Sequence, residues 1–245
     1  MITIGNKVNR NVLVSCDHGL MIVNRFDCNH ENVGHGQWLL DHGNTSTVEA
    51  QSTYESIKDI ENPVIFDVGA NIGTYTTWMA KLFPDGKVYC FEPQRSVFQM
   101  LCGNIAINNL YNCYTYNIAI GNADEPLLLQ EPDYFQSNDF GTFSLIEDKI
   151  SNKSGVKIIT DVLKLDTFFE KYQLERVDLI KIDVEGMDID VLKGAQNIIK
   201  KYNPVIFIEH SDNRRSILDT IIEYLGIDNY HFNVIGNNLL AKPIK

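Results

Sequence analysis

No stretch of this chain is apolar for the ~20 residues that a membrane-spanning helix needs. The longest apolar runs, such as 63–66 and 205–208, are a few residues each, so no transmembrane span is predicted. Cations are also scarce: 21 Lys and Arg stand against 32 Asp and Glu, a formal net charge of −11. A phosphate backbone would meet net repulsion from such a surface, which disfavours nucleic acid as the partner. The first residues, Met1 to Lys7, lack the basic stretch and apolar core of a secretory leader, so the chain reads as cytoplasmic. Cysteines number five, at positions 16, 28, 90, 102 and 113, and an odd count spread along the chain favours reduced thiols over a disulfide framework. There is no Cys-x-x-Cys knuckle either. The cluster Cys16-x-His18, Cys28-x-His30, His35 and His42 is therefore better read as polar strand ends and turns than as a zinc site.

What is present is globular. Apolar residues make up 44% of the 245, aromatics 10% and charges 22%, enough to bury the core of one domain with a short extension. From about residue 62, short apolar strands alternate with helical periods, the pattern of a parallel α/β sheet with helices on both faces. Strands are predicted at 63–68, 87–92, 113–119, 177–184 and 204–209, and helices at 72–83, 93–108, 165–172, 188–201 and 215–225. Asp166 is read near the N-cap of its helix. Residues 124–160 suggest an antiparallel insertion with extended pieces at 126–130, 141–146 and 156–160. Residues 231–242 read as a terminal hairpin turning at Gly236-Asn-Asn238. The first sixty residues differ: short strands are expected at 2–4, 12–15 and 20–24, and Ser46-Thr-Val-Glu49 reads as a capping box opening a helix to about Lys58. The predicted division is thus an N-terminal extension, 1–60, and a main domain, 61–245.

Two segments carry chemistry. The first is Phe66-Asp-Val-Gly-Ala-Asn-Ile-Gly-Thr74, at a strand-to-helix junction where open α/β sheets bind ligands and where glycine lets backbone approach a ligand closely. A dinucleotide loop runs G-x-G-x-x-G and offers its helix N-terminus to a pyrophosphate. Here Asn71 holds the second glycine's position, and Asp67 precedes Gly69 by two residues. That acid would repel a pyrophosphate and suit a cationic amino group, which S-adenosylmethionine has without any phosphate. Glu92, at the end of the next strand, is placed to take ribose hydroxyls. The second segment is Lys181-Ile-Asp183-Val-Glu185. Alternation puts these three charges on one side, at the C-terminal end of the strand beside the cofactor loop. A carboxylate there could orient or deprotonate an acceptor hydroxyl, with Asp183 the favoured base. Glu209 and His210, ending the next strand, add a carboxylate and an imidazole. A variant reading makes the carboxylates ligands to a divalent metal; a nicotinamide oxidoreductase and a non-catalytic binding module also stay open. The chain has neither an Asn/Asp-Pro-Pro-aromatic strand end, which accepts amino groups, nor a Pro-Cys nucleophile, so oxygen is the expected acceptor.

In order and spacing, 66–74, 90–93, 117–121, 165–168, 178–194 and 204–209 resemble the FkbM family of S-adenosylmethionine-dependent methyltransferases. The most specific part is Val177-Asp-Leu-Ile-Lys-Ile-Asp-Val-Glu-Gly186 with Val191-Leu-Lys-Gly-Ala195. The resemblance implies a class I Rossmann-like sheet of seven strands, the last antiparallel, and O-methylation of a hydroxyl on a sugar, glycan or natural-product acceptor. It implies that Asp67, Gly69, Ala70, Asn71, Gly73 and Thr74 line the methionine end, Glu92 the ribose and Asn117 to Ala119 the adenine. Met187 stands where the family more often has a small residue, which would narrow the acceptor side.

Overall fold

A computed structural model of the chain describes residues 9–28, 34–142, 153–209 and 229–244, with Asp219 and Glu223 besides. The chain opens on a hairpin, β1 (Asn11–Cys16) and β2 (Gly19–Asn24), then forms two helices, α1 (His35–His42) and α2 (Thr47–Ile57). Strands and helices then alternate through β3 (Val64–Val68), α3 (Thr74–Leu82), β4 (Lys87–Phe91), α4 (Arg95–Ile107) and β5 (Cys113–Tyr116). The short β6 (Ala119–Ile120) leads to a hairpin of β7 (Leu127–Pro132) and β8 (Lys153–Thr160), and β9 (Val162–Leu163) returns to pair with β6. The remaining elements are α5 (Leu165–Lys171), β10 (Leu179–Ile182), α6 (Asp188–Gly194), α7 (Gln196–Tyr202), β11 (Val205–Glu209), β12 (Tyr230–Ile235) and β13 (Asn238–Pro243). None of the described helices is long and apolar enough to cross a membrane.

Seven strands make one sheet in the order β12-β13-β11-β10-β3-β4-β5. Its members from β11 to β5 pair in parallel, and β13 runs antiparallel to both its neighbours. Parallel strands covered on both faces need apolar side chains on both, and all four residues of β10 are buried. Alternate residues feed opposite cores. Phe66, Phe91, Ile180 and Ile206 pack with Phe168, Val191 and Ile199 on one face, while Ile65, Val88, Leu179 and Phe207 pack with Ile57 and Met79 on the other. Strand order reverses between β3 and β10, because the chain leaves β3 towards β4 and returns to β10 on the other side. A crevice at the carboxyl ends of those two strands is where such sheets hold ligands.

The N-terminal hairpin and α1 share a third core with the main sheet's helices: Met21, Val23 and Leu39 pack against Ile72, Val97, Met100 and Phe140. Asn104 of α4 is fully buried in this seam. Its amide donates to the carbonyls of Ile22 (3.1 Å) and Ile72 (2.8 Å) and accepts from the N–H of Ile22. Asn104→Leu keeps the bulk and strands three backbone groups, so a loss of about 3 kcal/mol is expected in urea unfolding at unchanged m. A loss under ~0.5 kcal/mol, the range of a neutral surface change, would show that the seam is not held this way.

Several sequence expectations shift for local reasons. The strand expected over 113–119 breaks after Tyr116, because the Asn117 amide turns back to the carbonyls of Glu92 (2.8 Å) and Pro93 (3.1 Å). The helix expected over 188–201 divides at Ala195: a Cβ on Gly194 would lie 2.0 Å from the carbonyl oxygen of Gly121, so the backbones touch there. The capping box at Ser46 does not form. Ser46 precedes α2 with φ 56° and pairs its hydroxyl with that of Thr74 (3.1 Å) instead of with its own helix. Asp166 does not cap α5 either; its carboxylate accepts from Asn197 and Ile198 N–H (both 3.0 Å) and caps α7. Helix α1 has no counterpart in the sequence pattern. The strand expected at 2–4 lies outside the described residues, as do most of the strand at 141–146 and most of the helix at 215–225, in which Asp219 and Glu223 are helical.

Candidate active site

The turn after β3 passes tightly against the end of β10. Gly69 sits at φ 79°, and a Cβ there would meet the carbonyl oxygen of Asp183 at 1.8 Å, so only glycine fits. Its N–H and that of Ala70 donate to Phe91 O (3.0 and 2.9 Å), tying the turn to β4. Asn71, at φ 49°, donates its N–H to Glu92 Oε2 (3.0 Å). Glu92 Oε1 accepts from Gln94 N–H (2.8 Å). Burial pushes the Glu92 carboxyl up to about 7, against the two N–H donors that favour its charged form.

Across the crevice, Lys181 joins two carboxylates. Its Nζ lies 3.2 Å from Asp67 Oδ1 and 3.1 Å from Asp183 Oδ2, and donates to Gly69 O (3.0 Å). Asp67 has no exposed surface, and its Oδ2 accepts from Thr76 Oγ1 (2.6 Å). Burial works against the Lys181 charge, but the two carboxylates outweigh it and hold the ammonium above its ordinary range. Asp183 is held low. Burial opposes its charge, while Lys181 and a hydrogen bond with Glu209 stabilise it. Glu209 moves the other way, up to about 9, pushed first by the Asp183 charge and then by burial. Asp183 and Glu209 therefore share a proton at neutral pH, with the charge on Asp183.

A cavity of about 260 Å³ lies over these strand ends. Gly69, Asn71, Glu92, Ala119, Asp183, Glu185 and Glu209 are on its wall, with the apolar segment 118–120 along one side. Among the described residues its lining contains five acids, Glu92, Asp139, Asp183, Glu185 and Glu209, and neither Lys nor Arg. A second cavity, about 130 Å³, adjoins it on the α2 side and includes Ala70, Thr74 and Lys181.

Not every residue singled out from sequence reaches these cavities. Asp67 does not: its carboxylate is used up by Lys181 and Thr76, so it organises the site from behind instead of meeting a ligand's amino group. Gly73 starts α3 at φ 90° and faces Leu101, and the Asn117 side chain is spent on the backbone after β4. Glu185 follows the end of β10 in a turn at φ 46°, so strand alternation does not govern it, although it does line the larger cavity. Met187 lies on that same wall, near Gly121, and not on the smaller cavity. His210 lies outside the described residues.

The structure adds one residue. His35, at the start of α1, lines both cavities, with Nδ1 3.4 Å from Asn71 Nδ2. Asp27 places it there: this buried carboxylate accepts from Gly36 N–H (2.8 Å) and Phe140 N–H (3.0 Å), pinning the helix start beside the 139–142 loop. The sequence signal is Gly34-His-Gly36, a histidine between glycines, and it gives no reason to expect a helix. His18 is occupied elsewhere, bonded to Thr77 Oγ1 (3.1 Å) and Thr45 N–H (3.2 Å). Among the described residues no group of three or more His, Cys, Asp or Glu is arranged to hold a metal ion.

The sheet order and the crevice at its switch point define a Rossmann-like fold of the class I methyltransferase kind. A solved FkbM methyltransferase from Methylobacillus flagellatus superposes with TM-score 0.51 at 17% identity, over 74% of this chain and 43% of its own. The Methyltransferase FkbM domain model matches residues 67–234, and the chain belongs to this family. Methyltransferase 1 of Beauveria bassiana is 28% identical over 152 residues, 56% of this chain and 60% of that one. The 2-O-methyltransferase NoeI of Sinorhizobium fredii is 24% identical over 217 residues, 80% of this chain and 86% of that one.

Proposed function

We propose that the protein transfers a methyl group from S-adenosylmethionine to a hydroxyl oxygen of a small-molecule or glycan acceptor. The observation that carries this is Asp183: a charged carboxylate, anchored by Lys181, at the meeting of the two cavities. The larger cavity's lining fits the cofactor. Among the described lining residues four acids besides the protonated Glu209 stand without Lys or Arg, which suits a cationic ligand that has no phosphate, and an apolar side along 118–120 suits an adenine. Glu92 would hold the ribose hydroxyls. When bound, the cofactor supplies a methyl group activated by its sulfonium charge.

The chain's own part is positioning and proton handling. Asp183 accepts the hydrogen bond of the acceptor hydroxyl, fixing a lone pair towards the larger cavity, and takes the proton as the oxygen gains the methyl group. Glu209, protonated beside it, keeps the pair at a single negative charge, which limits repulsion while Lys181 holds Asp183 in place. Oxygen is the acceptor in the relative NoeI as its name states, and the absence here of amine- and thiolate-type signatures agrees with that. The N-terminal segment, through α1 and α2, takes the acceptor side.

The test is transfer of radiolabelled methyl to nucleotide sugars, glycans and lipid-linked saccharides. Label that survives mild alkali and is recovered in O-methyl sugars or other methyl ethers is expected; label released by alkali, and so in an ester, or label found only in amines would overturn the reading.

Glu92 adds a pH dependence. Ribose hydroxyls donate to its ionised form, and burial keeps its proton on below about 7. Cofactor affinity is therefore expected to rise as pH rises from 6 to 8, with a proton released on binding. Calorimetry in buffers of different ionisation heat reads this directly. Glu92→Gln should flatten the dependence.

A further inference from the structure

Strand β5 ends the strand order of the main sheet, and β4 is its one partner strand among the described residues. The bonds to β4 fix which of its backbone groups face outward. Asn112 O accepts from Val88 N–H (2.9 Å) and Tyr116 O from Glu92 N–H (3.1 Å), so alternation turns the N–H and C=O of Cys113 and Thr115 away from β4. Cys113 returns its N–H to Leu110 O (3.4 Å), while no described residue bonds the outward groups of Thr115.

A row of unpaired backbone groups at a sheet edge is usually guarded by charge, often lysine. Here that guard is missing. From 96 to 123, across α4, the turn after it and β5, there is no Asp, Glu, Lys, Arg or His, although 22% of the chain is charged. The surface of this stretch carries Ile107, Asn109, Tyr111 and Tyr114 instead, with Tyr111 87% and Tyr114 41% exposed. Tyr114 and Tyr116 stand on one face of the sheet, stacked beside Tyr89 with ring centroids 5.0 and 6.5 Å away, and Tyr172 meets Tyr116 edge-on at 5.1 Å. The opposite edge strand, β12, differs: its His231 stands against Lys242 of β13.

The charge of the chain selects the occupant. Two copies at −11 each repel one another over most of their surfaces, so they can approach at low cost only where charge is absent. A cationic partner would instead seek the acids. We propose that β5 pairs antiparallel with β5 of a second copy about a twofold axis at Thr115, joining the two seven-stranded sheets into one. Thr115 exchanges both backbone hydrogen bonds with its counterpart, and Tyr114 of each copy lies opposite Tyr116 of the other, an aromatic cross-strand pair made twice. This association is independent of the methyl-transfer reading.

The experiment is sedimentation of the full chain from micromolar to millimolar concentration, with hydrogen exchange followed at Thr115. A dimer of twice the chain's mass is expected, tightening as salt is raised, because salt screens the repulsion between acidic copies. Thr115 N–H should exchange slowly in the dimer and freely on dilution. Tyr114→Glu should weaken the dimer by at least ~tenfold, since it removes both aromatic pairs and adds two like charges at the seam. Tyr114→Ser should weaken it less, in the same direction, and Val234→Glu on the exposed edge of β12 should leave it unchanged. A wild-type chain that stays monomeric, a dimer loosened by salt, indifference to both Tyr114 variants, equal weakening by Val234→Glu, or Thr115 exchange that ignores concentration would each overturn the proposal.

Discussion

Lys181→Met is expected to lower folding stability by about 3–5 kcal/mol, the cost of removing one partner from a buried ion pair. Lys181 is 6% exposed and Asp67 not at all, so the lost ammonium leaves a carboxylate sealed from water with only Thr76 Oγ1 to bond it. The same change frees Asp183, which loses its 3.1 Å anchor, and methyl transfer should fall with stability. Urea unfolding at constant m measures the first effect. Combining Lys181→Met with Asp67→Asn should recover part of the loss, since the stranded charge is gone. A loss below ~1 kcal/mol, the scale of an exposed pair, would mean that Lys181 is not the keystone of the strand ends.

Asp183→Asn is expected to lower kcat by roughly 10²–10⁴, the range for a positioned acid or base, with cofactor affinity changed only a few-fold. The side chain keeps its shape and loses the charge that receives the hydroxyl proton. Glu209→Gln is the informative control. Glu209 is already protonated at neutral pH, so an amide can donate the same hydrogen bond to Asp183 and activity near pH 7 should stay close to wild type. Full activity in Asp183→Asn would remove this carboxylate from the reaction. A Glu209→Gln loss as deep as that of Asp183→Asn would instead mean that Glu209 acts in its ionised form.

Much of this architecture is legible in the chain because its signals are local. Apolar stretches such as Leu179-Ile180 and 205–208 belong to strands buried on both faces, and the Gly69 turn announces itself through a residue type that only a close backbone approach demands. What escapes is decided by partners far along the chain. Asp67 looks like a ligand-facing acid until Lys181, more than a hundred residues later, is seen to consume it. Ser46 and Glu49 fit a capping box, but Thr74 draws the Ser46 hydroxyl away from its helix. His35 reaches the site because Asp27 binds both the start of α1 and the backbone at Phe140, a closure that no periodicity encodes. The same segment that sequence treats as an appendix thus supplies one wall of both cavities.

The most direct measurement is calorimetric titration of S-adenosylmethionine into pure, folded protein at pH 8, where Glu92 is ionised. Saturable binding at one site is expected, lost or strongly weakened in Glu92→Ala. Absence of any binding heat at millimolar ligand, in buffers of differing ionisation enthalpy, would contradict the cofactor cavity and with it the proposed methyl transfer.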